Sequence, residues 1–207
     1  ICQPIKHGCD VLVESATKWI GGHGTVIGGV IVDAGTMDWG NGKHKMFTEP
    51  SEGYHGLVFW DTFGPGKFPP AGGANVAFAF KARVESLRDL GACQNPMNAF
   101  MLLTGIETLS LRAEVHNANA CKLASYLLRG AKDLEGNLLV ESVNHLSLDG
   151  HAYKAGAEKY FRKGCYGGVL TFQLKGGSEA ANKLINSLRM VSHLANVGDA
   201  KTLIICP

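Results

Sequence analysis

Ser15, Thr17 and Lys18 lie within one short stretch, immediately ahead of the glycine-rich run Gly21-Gly22-His23-Gly24. Two hydroxyls can each donate to an anion such as a phosphate oxygen, and glycines allow backbone to approach it closely. A lysine amine forms Schiff bases with carbonyl compounds. An aldehyde that also carries a phosphate, pyridoxal phosphate being the common biological case, uses both halves of this arrangement. A bare Ser-x-Thr-Lys match is weak evidence by itself, because a lysine beside glycines is most often a solvated loop residue.

The flanking residues supply the scaffold. Asp10–Glu14 reads as a short apolar strand after a loop or short helix, and Thr25–Asp33 as a second, nearly continuous apolar strand. Such a run suits an interior strand covered on both faces. Gly28-Gly29 within it marks a place where a backbone or ligand comes close. Two strands joined by a loop that carries the lysine is the layout of an α/β protein with its chemistry on strand-end loops.

The remaining composition excludes several classes. The 207 residues are 45% hydrophobic and 18% charged with a formal net charge of +2, an ordinary balance for a chain with a buried core. No basic run argues for nucleic acid, no apolar stretch is long enough to span a membrane, and no signal-peptide pattern opens the chain. Six cysteines without a C-x-x-C pair read as free thiols in a reducing compartment rather than a disulfide framework. Eight scattered histidines offer no metal-binding spacing, so no metal is expected.

From 34 to 73 the chain is rich in Gly, Pro and aromatic residues. It is too aromatic for a flexible linker, which makes it a functional or interfacial loop, or a surface excursion packed by its own rings. Asn75–Leu90 reads as a helix, with Val76, Phe80, Val84 and Leu87 on one face and Gly91 as its stop. Asn98–Leu103 reads as another. Ile106–Arg129 is a long amphipathic helix whose Glu107, Arg112, Glu114 and Lys122 form a solvated face. Strands follow at Leu138–Val143 and Gly168–Lys175, with a helix over His151–Arg162 between them. A further helix runs from a Ser178 cap to Met190, and a last strand, Thr202–Cys206, stops at Pro207. A domain boundary is placed near residue 105, dividing 1–105 from 106–207.

Ser-Ala-Thr-Lys-Trp-Ile-Gly-Gly-His-Gly (15–24), preceded by His7-Gly8-Cys9-Asp10, resembles the lysine segment of the Cys/Met-metabolism family of pyridoxal phosphate enzymes. Arg83, Arg88-Asp89-Leu90-Gly91-Ala92 and Asn98-Ala99-Phe100 resemble it too. Thr48-Glu49-Pro50 with Tyr54-His55-Gly56-Leu57 is similar to the insertion that marks the O-acetylhomoserine sulfhydrylase branch. The resemblance implies the type I aminotransferase-like fold of PLP-dependent transferases, α/β. Residues 1–105 would form the later part of the large cofactor-binding domain, and 106–207 most of a smaller α+β domain. It implies pyridoxal 5'-phosphate held by the Lys18 amine, with Ser15 and Thr17 on its phosphate. Asn196, in His193-Leu194-Ala195-Asn196-Val197-Gly198-Asp199, would contact the substrate carboxylate; read on its own, Asn196 is equally an ordinary turn residue before Gly198.

The implied reaction is γ-replacement of the acetyl group of O-acetyl-L-homoserine by sulfide or a thiol, giving homocysteine or methionine. The alternatives are a cystathionine γ-synthase or γ-lyase, which the 34–73 insertion disfavours, or a catalytically incomplete fragment. The family pattern places the aspartate that pairs with the cofactor ring nitrogen and the aromatic stacked on the ring before Ile1, and the carboxylate-gripping arginine after Pro207. It also implies a cytoplasmic homo-oligomer, a dimer at least and a tetramer by expectation, acting on small molecules. Cys9, Val115, Cys206 and the stretch Asn144–Tyr153 depart from the pattern.

Overall fold

A computed structural model describes residues 1–206; the expected strand stop at Pro207 lies outside them. The chain divides into two units. One contains Pro4–Glu14 and Val30–Asn95, the other Ile1–Gln3, Ser15–Gly29 and everything from Pro96 onward.

In the first of these units strand β1 (Val11–Ser15) pairs with β2 (Gly29–Asp33), the last residue of β1 and the first of β2 belonging to the other unit. Beyond the ladder, the Ala34 amide donates to the Asp10 carbonyl at 2.9 Å. The start of the expected strand over Thr25–Asp33 needs correction. The regular strand begins only at Gly29, and Val30, Ile31 and Val32 are 42%, 58% and 39% exposed. An apolar run records that a strand could be interior, not which elements the chain supplies to cover it.

Residues 34–73 pack partly on their own rings and partly on the helix that follows them. Short helices α1 (Lys45–Thr48) and α2 (Phe59–Phe63) precede α3 (Ala77–Lys81), and Phe47, Phe59 and Ala77 form a buried cluster flanked by Trp39, Tyr54, Phe63 and Phe78. Trp39 stacks on Phe47 and Phe78 with centroids 4.8 and 5.4 Å apart, an offset geometry that adds to the burial of area. Lys81 Nζ lies 4.3 Å from the centre of the fully buried Phe59 ring and 2.6 Å from Glu85 Oε2. Burial pushes the Glu85 carboxyl up, but hydrogen bonds from Lys81 and Ser51 and the lysine charge outweigh it and leave the group lowered. The expected helix over Asn75–Leu90 is present, but α3 widens into a π-helical stretch, Ala82–Leu87, before α4 (Arg88–Leu90). Gly91 ends it at φ +69°, the left-handed stop its residue type suits.

The other unit is built on two helices, α5 (Pro96–Glu107) and α6 (Leu109–Arg129). Strands β3 (Val140–Asn144) and β4 (Thr171–Leu174) pair antiparallel with an irregularity between Val140 and Ser142, and α7 (Lys154–Tyr160) lies between them in sequence. Helix α8 (Gly177–Ser187) is followed by β5 (Ser192–His193) and β6 (Leu203–Ile204), which run parallel. Ser178 does not cap α8 as expected. Gly176, at φ +94°, holds that position, and no side chain supplies the cap. A left-handed entry needs glycine more than it needs a hydroxyl.

Candidate functional site

The residues after β1 wind into a tight turn. Lys18 N–H donates to Ser15 O at 3.2 Å, Gly21 N–H to Ala16 O at 2.8 Å and Gly22 N–H to Lys18 O at 2.8 Å. Ala16, fully buried, packs with Val26, Leu102 and Ile20. That small cluster anchors the turn from within, and the Lys18 side chain is half-buried. Thr17 Oγ1 accepts the Gly28 N–H at 3.1 Å, while its own proton reaches the Gly28 carbonyl only at 3.4 Å. A hydroxyl so held keeps a proton to give to a better acceptor. Ser15 is exposed at the strand end.

The structure brings the side chains of two of the four expected site residues into direct contact. Lys18 Nζ donates to Asn196 Oδ1 at 3.1 Å across 178 residues of sequence. With its oxygen turned to the ammonium, Asn196 keeps its Nδ2 protons for another acceptor. A methyl added at Gly24 would stand 3.5 Å from that nitrogen and 2.9 Å from Asp199 Oδ2, so glycine keeps the approach open.

The Asn196 loop is tied to the lysine turn by more than this bond. The Ala200 amide donates to the Gly22 carbonyl at 2.7 Å. Asp199, 7% exposed, accepts the Lys201 amide at 2.9 Å. The Trp19 indole presses on Gly198, where a Cβ would come within 2.7 Å of the ring, and on Gly168, where it would come within 2.8 Å. The residue next to the lysine therefore seats itself on the residue two positions after Asn196.

One expectation fails here in an informative way. Arg112 is not part of a solvated face. Its Nη1 donates to Trp19 O at 2.9 Å, its Nη2 to Gly105 O at 2.7 Å and Ile20 O at 3.3 Å, and its Nε to Thr108 Oγ1 at 3.0 Å. Four residues further along α6, His116 meets Trp19 edge-on with centroids 5.5 Å apart, and its buried Nε2 has no hydrogen-bond partner among the described residues. Burial first, and the neighbouring Arg112 charge second, push the His116 ring below its ordinary value, with Asp199 opposing. Residue types along α6 could not reveal these roles, because the partners are backbone carbonyls and an indole far away in sequence.

The donor set on the turn, one amine and two hydroxyls beside glycines, fits a phosphorylated aldehyde. Among the described residues no cluster of histidine, cysteine, aspartate or glutamate is arranged to hold a metal ion.

Comparison with known proteins agrees with this chemistry. The sequence model for the Cys/Met metabolism PLP-dependent enzymes matches residues 1–207. An O-acetyl-L-homoserine sulfhydrylase of Leptospira meyeri is 50% identical over the whole chain, which covers 45% of that protein. A homocysteine synthase of Schizosaccharomyces pombe is 48% identical, with the chain covering 44% of it. A Campylobacter jejuni structure assigned as an O-acetylhomoserine (thiol)-lyase, containing an N'-pyridoxyl-lysine-5'-monophosphate residue, superposes with a TM-score of 0.85 at 35% identity, covering 100% of this chain and 47% of that one. The chain thus spans about half the length of the relatives it matches.

Proposed function

The chain belongs to the Cys/Met-metabolism family of PLP-dependent enzymes, and on that premise we propose that it takes part in γ-replacement on O-acetyl-L-homoserine, sulfide or a thiol displacing acetate to give homocysteine or methionine. The observation that carries this reading is the Lys18–Asn196 hydrogen bond of 3.1 Å. It sets the amine suited to the cofactor beside an amide suited to a substrate carboxylate. The names of the Leptospira and Campylobacter relatives give the acetylated donor, and that of the yeast relative gives the product.

Each residue has a definite task in this proposal. Lys18 holds the cofactor aldehyde through its amine, and Ser15 and Thr17 hold the phosphate with their hydroxyl protons. When bound, the cofactor supplies the electron sink that lets a Cα proton leave and acetate depart from Cγ. Lys18 Nζ, once free, accepts and returns protons at the substrate carbons, a role for an amine positioned within reach of them. Asn196 Nδ2 donates to the substrate carboxylate and fixes which carbons face the amine.

The acting protein is proposed as a cytoplasmic homo-oligomer, a dimer at least and a tetramer by expectation. Residues 1–105 would be the later part of its cofactor-binding domain and 106–207 most of its smaller domain. No helix among the described residues is long and apolar enough to cross a membrane.

Borohydride reduction of the full-length polypeptide tests the assignment. A visible absorption band that borohydride abolishes, with the reduced pyridoxyl group mapped to Lys18, is expected, along with homocysteine formed from O-acetylhomoserine and sulfide. No band with added pyridoxal phosphate would overturn it. Cystathionine formed from cysteine, without use of sulfide, would move the protein to the cystathionine branch.

A further inference from the structure

We propose that Arg112 is a positioning residue for Lys18. Its guanidinium binds the carbonyls of Trp19 and Ile20, the two residues directly after the lysine, and ties them to the Gly105 carbonyl at the end of α5. The inference rests on Lys18 being the cofactor lysine.

The argument begins with the carbonyls. A tight turn leaves backbone oxygens without regular partners, and such groups must be satisfied wherever water is kept out. Ala16, Gly21 and Gly22 are buried here, so the turn has a dry side. Arginine presents donors in a fixed planar fork, so one side chain can join three oxygens from two segments at defined angles. Bonds from a charged donor are shorter and stronger than neutral ones, and the 2.7 and 2.9 Å contacts fit that description. The fork itself is fixed by the Nε bond to Thr108, one helical turn back.

The consequence concerns Lys18 rather than the fold at large. The Trp19 carbonyl belongs to the peptide between Trp19 and Ile20, so Arg112 fixes the far side of the residue joined directly to Lys18, and the Trp19 indole rests on Gly198, two residues from Asn196. A shift of that peptide displaces the Trp19 Cα, which carries the indole and is one peptide away from the lysine Cα. It therefore changes the aim of Nζ at Asn196 and at whatever replaces Asn196 as its partner. The guanidinium fills the space that a Cβ at Gly22 would occupy, so the placement of the arginine depends on glycine there.

The test compares the full-length protein with Arg112→Lys, Arg112→Gln and, as an exposed control on the same helix, Glu114→Gln. The cofactor is removed, and the rate at which added pyridoxal phosphate becomes borohydride-trappable on Lys18 is measured per folded molecule, alongside thermal unfolding and the pH midpoint of the visible band. Trapping in Arg112→Gln should slow by about ten- to a hundredfold, the usual effect of displacing a reacting group by an ångström or so, and the pH midpoint should move. Arg112→Lys should recover part of the rate, since an ammonium can meet some of the carbonyls but not all in one plane. Glu114→Gln should match the parent.

A merely structural arginine would lower the unfolding temperature while leaving the rate per folded molecule and the midpoint unchanged, and that result overturns the proposal. Should Arg112→Gln fail to fold, Arg112→Lys decides by the same two readouts. Trapping on a residue other than Lys18 in the parent protein would instead overturn the cofactor assignment, which separates the two failures.

Discussion

The aromatic unit and the lysine turn are held by opposite means. Around Phe47, Phe59 and Ala77 the adhesive is area: rings stacked on rings, with Lys81 lying over Phe59 and neutralised by Glu85. Around Lys18 the buried apolar cluster is small, formed by Ala16, Val26 and Leu102 with Ile20 against it. Conformation there is set by directed contacts: the guanidinium on carbonyls, an indole on glycines, an amine on an amide. Area is non-directional and tolerates small shifts, whereas hydrogen bonds fail over fractions of an ångström. The first arrangement suits stability and the second suits placing a reactive group. Substitutions in the two regions should therefore separate stability from function.

The sharpest separation comes from Lys18→Ala. We expect turnover of O-acetylhomoserine to fall by about 10³-fold or more, at the upper range for loss of a proton-transfer group compounded by loss of the covalent anchor. The urea midpoint should barely move, because the deleted side chain is half-buried and bonded only to Asn196 among the described contacts. Activity and denaturation assays on the same preparation check both halves. A large loss of stability would break the comparison.

Phe59→Ala is the mirror case. Phe59 is 0% exposed, touches Tyr54 and Phe63 edgewise or tilted, and underlies the Lys81 ammonium. Truncation opens a cavity and removes the surface beneath a partly desolvated charge. A loss of about 3–5 kcal/mol is expected from the cavity, read by urea unfolding. The rate of borohydride trapping at Lys18 per folded molecule should stay near that of the parent.

The same contrast explains what could be read in the sequence. Helices, the aromatic excursion, the Gly91 stop and the lysine turn were legible because each is local: periodicity, ring content and a contiguous motif state them directly. Arg112 was not, since its pattern on α6 is that of any polar helix position and the carbonyls it binds on the lysine turn are 92 and 93 residues away. His116 escaped for the same reason. The start of β2 at Gly29 was not legible, because the apolar content already begins in the loop before it. Gly176 outranked Ser178 as the cap of α8 because backbone handedness is invisible in a residue list. Asn196 was singled out through family resemblance alone, and no residue pattern states its contact with Lys18, 178 residues away.

Gly198→Ala tests the directed region at a point where stability and function both respond. Gly198 sits at φ +74°, and a Cβ would come within 2.7 Å of the Trp19 ring. A left-handed non-glycine residue costs about 1–3 kcal/mol, and the indole must also shift. We expect a moderate fall in stability and a change in tryptophan emission. KM for O-acetylhomoserine should rise more than kcat falls, because Asn196 lies on the displaced loop while the Arg112 contacts to the lysine turn persist. An unchanged KM would remove Asn196 from the substrate site.

The smallest effect is a pH dependence to which the directed region contributes through His116. The folded-state pKa of His116 lies below its ordinary 6.5, chiefly from burial and then from Arg112, with Asp199 pulling the other way. The unfolded chain binds that proton more readily, so the stabilising effect is complete above about pH 6.5 and is lost as pH falls through the lower folded value. His145 acts in the same sense: burial lowers it, the Gly167 carbonyl opposes and His151 adds to the lowering. Asp133, lowered by the Asn137 amide, and Asp149, lowered by Lys154, also lose their effect on acidification, but beneath their ordinary 3.8. The two windows do not overlap between pH 6.5 and 5. Urea midpoints across that interval should fall with acidification in the parent and fall less steeply in His116→Gln, whose amide can fill the same edge beside Trp19 without taking a proton. An equal slope in both proteins would mean that His116 protonates as readily folded as unfolded, and that Arg112 and the indole do not close the space around it.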